Sequence, residues 1–325
     1  GSYMDSKRFI EQPGFELHQI YRALSVLAEE SDYIQARLFR NTMAIQERRT
    51  EVIYYDCTNF YFEIEEAEDD KQFGVSKENR PLPIVEMGLF MDRDGIPLAF
   101  CINPGNESEQ LSLIPLEKKL MEKFDMSRFI VCTDAGLSSN TNRCFNSYGK
   151  ADATRDFITT QSVKKLKAHL KKWALAPEGW RLSGSDGRTT YNINELDEAE
   201  CLDRIYYKSR WIKEKVEAVI DGQSRKVELE QQLIVTYSIK YRNYLRSIRN
   251  RQVERARKAV AAGAKAVERK RQNDPKRFIK VNHATKDGDV AEQAACHIDE
   301  DAIAKEEQYD GFYAVCTSLE DGPEP

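Results

Sequence analysis

From Val52 to Phe62 the chain runs Val-Ile-Tyr-Tyr-Asp-Cys-Thr-Asn-Phe-Tyr-Phe, a stretch so rich in β-branched and aromatic residues that a strand is its natural state. One carboxylate, Asp56, interrupts it. A second apolar run, Phe129 to Thr133, ends at Asp134. A carboxylate at the end of a buried strand is costly to desolvate, so each aspartate calls for a cation or a hydrogen-bond donor. Taken singly, either reads as a strand-end cap or a turn residue. Paired on adjacent strands, they would form an oxygen site suited to Mg²⁺ or Mn²⁺. Two such ions about 4 Å apart activate a water or a 3′-hydroxyl and stabilise the leaving oxygen of a phosphodiester.

The surrounding pattern is that of a mixed α/β sheet. Gly1-Ser2-Tyr3-Met4 reads as a protease-cleavage scar and is left out of the fold. Residues 1–50 form a helical lead-in, with apolar positions at helical spacing (Leu17, Ile20, Tyr21, Leu24, Leu27, then Ile34, Leu38, Met43, Ile45). Over residues 51–176 the first strand is followed by strands at Ile84–Met91 and Ile96–Ile102, joined by an Asp94-Gly95 hairpin turn. A helix (Leu111–Phe124), the strand ending at Thr133, a helix (Asn140–Tyr148), a strand (Phe157–Thr160) and a helix (Val163–Leu175) come next. The rhythm breaks over residues 177–305, where short strands (Trp180–Leu182, Ile205–Tyr207, Leu233–Tyr237) precede one long basic helix, Lys240–Arg271, as in an α+β insertion. Residues 306–325 return to the core texture with a strand through Tyr309–Thr317, and the chain reads as a portion of a longer protein.

Charge is unevenly placed. The whole chain carries -5, but Lys240 to Lys280 holds 15 basic residues against three acidic ones, a balance of +12 that leaves -17 for the rest. Averaging hides a segment suited to polyanions. No run of about 18 apolar residues and no signal-peptide pattern occurs, which points to a cytoplasmic protein without membrane spans. Seven scattered cysteines lack any C-x-x-C pair and read as reduced thiols. His18, His169, His283 and His297 share no ligand spacing.

Five ordered blocks carry a family resemblance: Tyr54-Tyr55-Asp56-Cys57-Thr58-Asn59-Phe60-Tyr61-Phe62-Glu63, Ser76-Lys77-Glu78-Asn79-Arg80-Pro81, Gly88-Leu89-Phe90-Met91-Asp92, Pro104-Gly105-Asn106-Glu107-Ser108-Glu109 and Thr133-Asp134-Ala135-Gly136-Leu137. They resemble the DDE transposases of bacterial insertion sequences. Tyr309-Asp310-Gly311-Phe312-Tyr313 looks like the strand before that family's last catalytic helix. The resemblance implies a ribonuclease H-like mixed sheet flanked by helices, in which three acidic residues hold two divalent ions, Mg²⁺ or Mn²⁺. Asp56 would be the first and Asp134 the second. The third would be a glutamate on a helix beyond Phe312–Cys316. Glu320 and Glu324 lie too close to that strand, in a Gly- and Pro-containing tail, so the fragment is expected to be inactive alone. The implied activity is metal-dependent cleavage of double-stranded DNA at element ends and strand transfer to a target, by a homodimer in a nucleoid-associated complex.

Beyond the metal site, Arg242, Arg246 and Arg249, with Arg251, Arg255 and Lys258 nearby, recur at three- and four-residue steps along one side of the basic helix, where they could track phosphates. The bland alternative is a solvated face. Tyr237, Tyr241 and Tyr244 beside them read as packing residues. Lys77 and Arg80 sit where the family places basic residues near the active site. They would hold a DNA phosphate, or pair with the acidic run Glu63–Asp70. Asn106 and Glu109 shape the loop after the third strand. Two rivals to the transposase reading remain: a non-catalytic DNA-binding or assembly module, and a metal-dependent nuclease on the same core.

Overall fold

The computed structural model describes residues 14–147, 155–262, 274–284 and 290–320, and side chains outside 282–295. The expected cleavage scar, Tyr148, the stretch 263–271 of the basic helix, Glu324 and the His283 side chain lie outside the described residues. The chain divides into two compact units, Gly1–Asp156 and Phe157–Pro325.

In the first unit, α1 (Leu17–Glu29) and α2 (Ser31–Met43) lead into β1 (Val52–Tyr61), β2 (Ile84–Met91), β3 (Pro97–Pro104), α3 (Leu113–Lys123), β4 (Phe129–Thr133) and α4 (Asn140–Phe145). Strand order is β3-β2-β1-β4. Pairing is antiparallel across β3-β2-β1 and parallel between β1 and β4. This mixed sheet flanked by helices is ribonuclease H-like. Strand alternation decides its faces. Ile53, Tyr55 and Cys57 point into a core with Phe90, Leu98, Ala99, Leu116, Leu120, Phe129 and Val131, closed by Ala36 and Phe39 of α2. Tyr54, Asp56, Thr58 and Phe60 take the other face, and all four are exposed.

The junction between α2 and the sheet is polar and buried. Arg48 Nε donates to Asp92 at 2.6 Å, and the same guanidinium donates to Thr42 Oγ1 and to the carbonyls of Ile96 and Pro97. The other Asp92 oxygen accepts from the N–H groups of Asp94 and Ile96, which shapes the β2–β3 turn. A buried ion pair with further hydrogen bonds on both partners is the kind that holds.

The second unit carries β5 (Arg155–Thr160), α5 (Ala168–Leu175), β6 (Arg181–Leu182), β7 (Tyr206–Ile220), β8 (Gln223–Tyr237), α6 (Ile239–Ala261), β9 (Ile279–Ala284), β10 (Val290–Ile298), α7 (Glu300–Glu307) and β11 (Phe312–Thr317). Its strands follow the order β5-β11-β8-β7-β6, and β9 pairs β10 separately. The short strands expected at 205–207 and 233–237 are the inner ends of a hairpin with 15-residue arms. Its tip is Asp221-Gly222, both at positive φ (51° and 74°), the two-residue turn whose twist matches paired strands. Along the arms Lys213 faces Glu230, Lys215 faces Glu228 and Glu217 faces Lys226, so opposite charges line up across the strands. Trp180, Tyr237 and Phe312 pack ring on ring at 5.1–6.0 Å and tie β11 to β8. α6 packs Val253 and Ala256 against Phe278 and Ile279, giving the α+β segment a small core of its own. α7, β9 and β10 were not foreseen from the sequence. The seven cysteines are free thiols.

Candidate functional site

The parallel pairing of β1 with β4 ends at Tyr55↔Thr133. The residue that follows each of these is an aspartate: Asp56, still within β1, and Asp134, just past the end of β4. Adjacent strands run about 4.8 Å apart, so the register sets the backbones of the two aspartates near one another where β4 stops and β1 continues. Both are exposed, so neither bears the desolvation cost expected of a buried strand end. Asp56 is also not the end of its strand, which runs on to Tyr61.

Local hydrogen bonds aim both groups. Asp56 Oδ1 accepts from the Cys57 N–H at 2.7 Å. Asp134 Oδ1 accepts from the N–H groups of Gly136 at 2.9 Å and Leu137 at 3.0 Å, an Asx-type turn. That turn is tied down in its own right. Gln110 donates to the Gly136 carbonyl, and the buried Asn142 donates to the carbonyls of Leu137 and Gln110. Two water-accessible carboxylates on neighbouring strands are hard oxygen donors, of the chemistry that suits a Mg²⁺-type ion keeping much of its water shell. Among the described residues, no group of three or more His, Cys, Asp or Glu stands close enough to hold a metal.

Lys77 reaches β1 one residue from Asp56. Its ammonium donates to the carbonyl of Cys57, the residue after Asp56, and stands 3.1 Å from Glu109. Glu109 therefore takes the place of the acidic run 63–70 as its partner. The loop bearing Lys77 is pinned to β1 by Asn59, which donates to the Val75 carbonyl and accepts from the Lys77 N–H. It is also pinned by glycine contact: a Cβ on Gly74 would lie 1.7 Å from the Gly105 carbonyl oxygen, a clash no side chain survives. Segments 31 and 32 residues apart in the sequence thus meet at Gly74–Gly105 and Lys77–Glu109. Arg80 points elsewhere, with its guanidinium 4.2 Å from the Tyr61 ring centre and an ion pair to Glu78.

One residue of this neighbourhood escaped the sequence reading. Glu86 interrupts the apolar run of β2 and is only 6% exposed. Burial, then the nearby Glu109 carboxylate, raise its pKa to about 7, with Lys77 opposing. The available signal was a glutamate at an inward register position of an apolar strand.

The basic helix α6 presents its charges differently from a simple stripe. Arg249 is buried and paired with Asp310 and Glu307. Arg242 is paired with Glu198 and mostly covered, and Arg246 is exposed at 3.7 Å from Asp310. Arg251, Arg255 and Lys258 are exposed, and their side chains form no hydrogen bond or ion pair among the described residues. Their four- and three-residue steps put them on one face. Tyr237 is buried, as a packing residue should be, whereas Tyr244 is 59% exposed and stacks on Tyr241. Among the described residues no helix is long and apolar enough to cross a membrane.

No family model matches this chain, and no curated protein does. Among solved structures it shows a likeness to the Mos1 transposase paired-end complex with left transposon end, at 15% identity and a TM-score of 0.20. The match spans 43% of this chain and 43% of that one, a likeness too slight to carry an argument about function.

Proposed function

We propose that this chain is a transposase-like, DNA-processing protein in which Asp56 and Asp134 hold divalent ions against a DNA backbone, for strand cleavage and transfer at insertion-sequence ends. The observation that supports the reading is the β1–β4 register, in which the residues following the last pair, Tyr55↔Thr133, are the two aspartates of the resemblance, 78 residues apart in the sequence. Divalent ions bound there would supply an activated water or 3′-hydroxyl and charge stabilisation for the leaving oxygen. The chain's own part is to orient: the Cys57 N–H and the 134–137 turn fix one oxygen of each aspartate. Lys77 presents a cation at β1, one residue from Asp56, for a phosphate. The third carboxylate that the resemblance calls for does not stand with these two among the described residues, so complete catalysis draws on a further ligand. Arg251, Arg255 and Lys258 supply a second, sequence-independent hold on duplex DNA, and a homodimer on paired ends completes the picture.

The test is duplex-DNA binding with and without Mn²⁺. Added metal should tighten binding of the wild-type chain and leave Asp56→Asn unaffected. Equal tightening in both would remove the carboxylates from the site. The exposed face of α6 also favours a second reading, a DNA-binding module without catalysis. That reading holds if binding is salt-dependent but indifferent to metal in every variant.

A further inference from the structure

Glu86 stands on β2 between Asn59 of β1 and Asn103 of β3, on the covered side of the sheet. It is more than nine-tenths buried, yet its carboxylate forms no hydrogen bond or ion pair among the described residues. Asn59, directly across from Glu86, accepts from the Lys77 N–H and so holds the Lys77 loop on this side; the charges acting on Glu86 are Glu109 and Glu107, from the segment between β3 and α3, and Lys77, from the loop between β1 and β2. Glu86 therefore has two carboxylates and one ammonium as charged neighbours, and that ammonium is already engaged by Glu109 and the Cys57 carbonyl.

We propose that Glu86 is a positioning residue acting through Lys77: it takes up a proton when a DNA phosphate displaces Glu109 from the lysine. This rests on the DNA reading above and goes beyond it. A lysine ammonium has three donors, so a phosphate oxygen can replace Glu109 while the bond to the Cys57 carbonyl persists. Glu109 then becomes an unpaired carboxylate beside Glu86, and a phosphate adds further negative charge. Like charges so placed favour the neutral acid. One proton moves from solvent to a Glu86 oxygen, and no other bond is made or broken. Because Glu86 already sits near pH 7 in the free protein, the exchange falls within the neutral range. The sign follows from mass action: binding that takes up a proton tightens as pH falls.

The experiment measures affinity of the full chain for a labelled duplex at about pH 6 and about pH 8, alongside proton uptake by calorimetry in two buffers of different ionisation heat. Wild type should bind about three- to tenfold more tightly at the lower pH, since a full proton is worth tenfold per unit. Glu86→Gln, which fixes a neutral side chain of the same shape, should bind with a flat profile and no uptake, and Lys77→Met should flatten it too. A Glu86→Gln profile as steep as wild type overturns the inference while leaving the DNA reading intact. Failure to bind duplex at any pH overturns both. Thermal unfolding of each variant confirms that the compared proteins are folded.

Discussion

Arg249 and Asp310 form a two-pronged buried ion pair, with guanidinium nitrogens 2.6 and 2.7 Å from the two carboxylate oxygens and both side chains 5% exposed. The pair joins the middle of α6 to the turn before β11, with Glu307 on the same guanidinium at 3.2 Å. Removing one partner strands a buried charge. Arg249→Ala should therefore cost about 3–5 kcal/mol in urea unfolding. Arg255→Ala, on the exposed side, should change stability by less than about 0.5 kcal/mol. Equal losses in the two variants would contradict the inward placement of Arg249.

DNA contact should follow the opposite order. If Arg251, Arg255 and Lys258 each neutralise one phosphate, changing all three to Gln lowers the slope of log affinity against log salt by about 2.7, at about 0.9 per contact. Fluorescence anisotropy across a salt series measures it. An unchanged slope would return that face of α6 to plain solvation.

The strand through Val52–Phe62, the Asp94-Gly95 hairpin and the β4 strand ending at Asp134 were legible because hydrophobic period and turn chemistry are local. The Asp221-Gly222 turn carries the same signal, but its flanks are charged on alternate positions, and what makes them strands is the pairing of Lys213 with Glu230 and Lys215 with Glu228 across the hairpin. Such pairing is invisible along one arm. Arg249 looked like its neighbours in the basic helix because its partner Asp310 lies 61 residues on. Asp56 and Asp134 stand out by residue type and order, yet their exposure does not, since which face of β1 is covered depends on α2 and α3. Glu86 was missed for the same reason.

Glu117 gives a pH test of the core. It is fully buried on α3, accepts from Asn146 Nδ2 at 3.0 Å, and leaves its other oxygen without a partner. Burial raises its pKa to about 8, against the opposing effects of Asn146 and Arg155. A raised acid pKa means that the folded state keeps a proton the unfolded state has lost. Stability from this group is thus full below the ordinary glutamate range and declines as pH rises towards 8. Glu117→Gln should be near neutral at about pH 5 and stabilise by about 1–3 kcal/mol at about pH 8.5. Chemical denaturation at the two pH values decides it, and a variant equally stable relative to wild type at both would contradict the assignment.

Glycine contact gives a steric test of the Lys77 loop. Gly74→Ala pushes a methyl carbon onto the Gly105 carbonyl. It should displace the loop, cost about 1–3 kcal/mol as overpacking does, and weaken duplex binding together with Lys77→Met. Full stability and wild-type binding in Gly74→Ala would show that the two loops do not touch.

The most direct measurement is Mn²⁺ titration of the full chain, followed by calorimetry or by loss of the free-ion electron paramagnetic resonance signal. Two carboxylates on neighbouring strands should give weak, saturable binding in wild type that either Asp56→Asn or Asp134→Asn abolishes, because each supplies half of the protein ligands. Binding that survives in both variants would contradict the site.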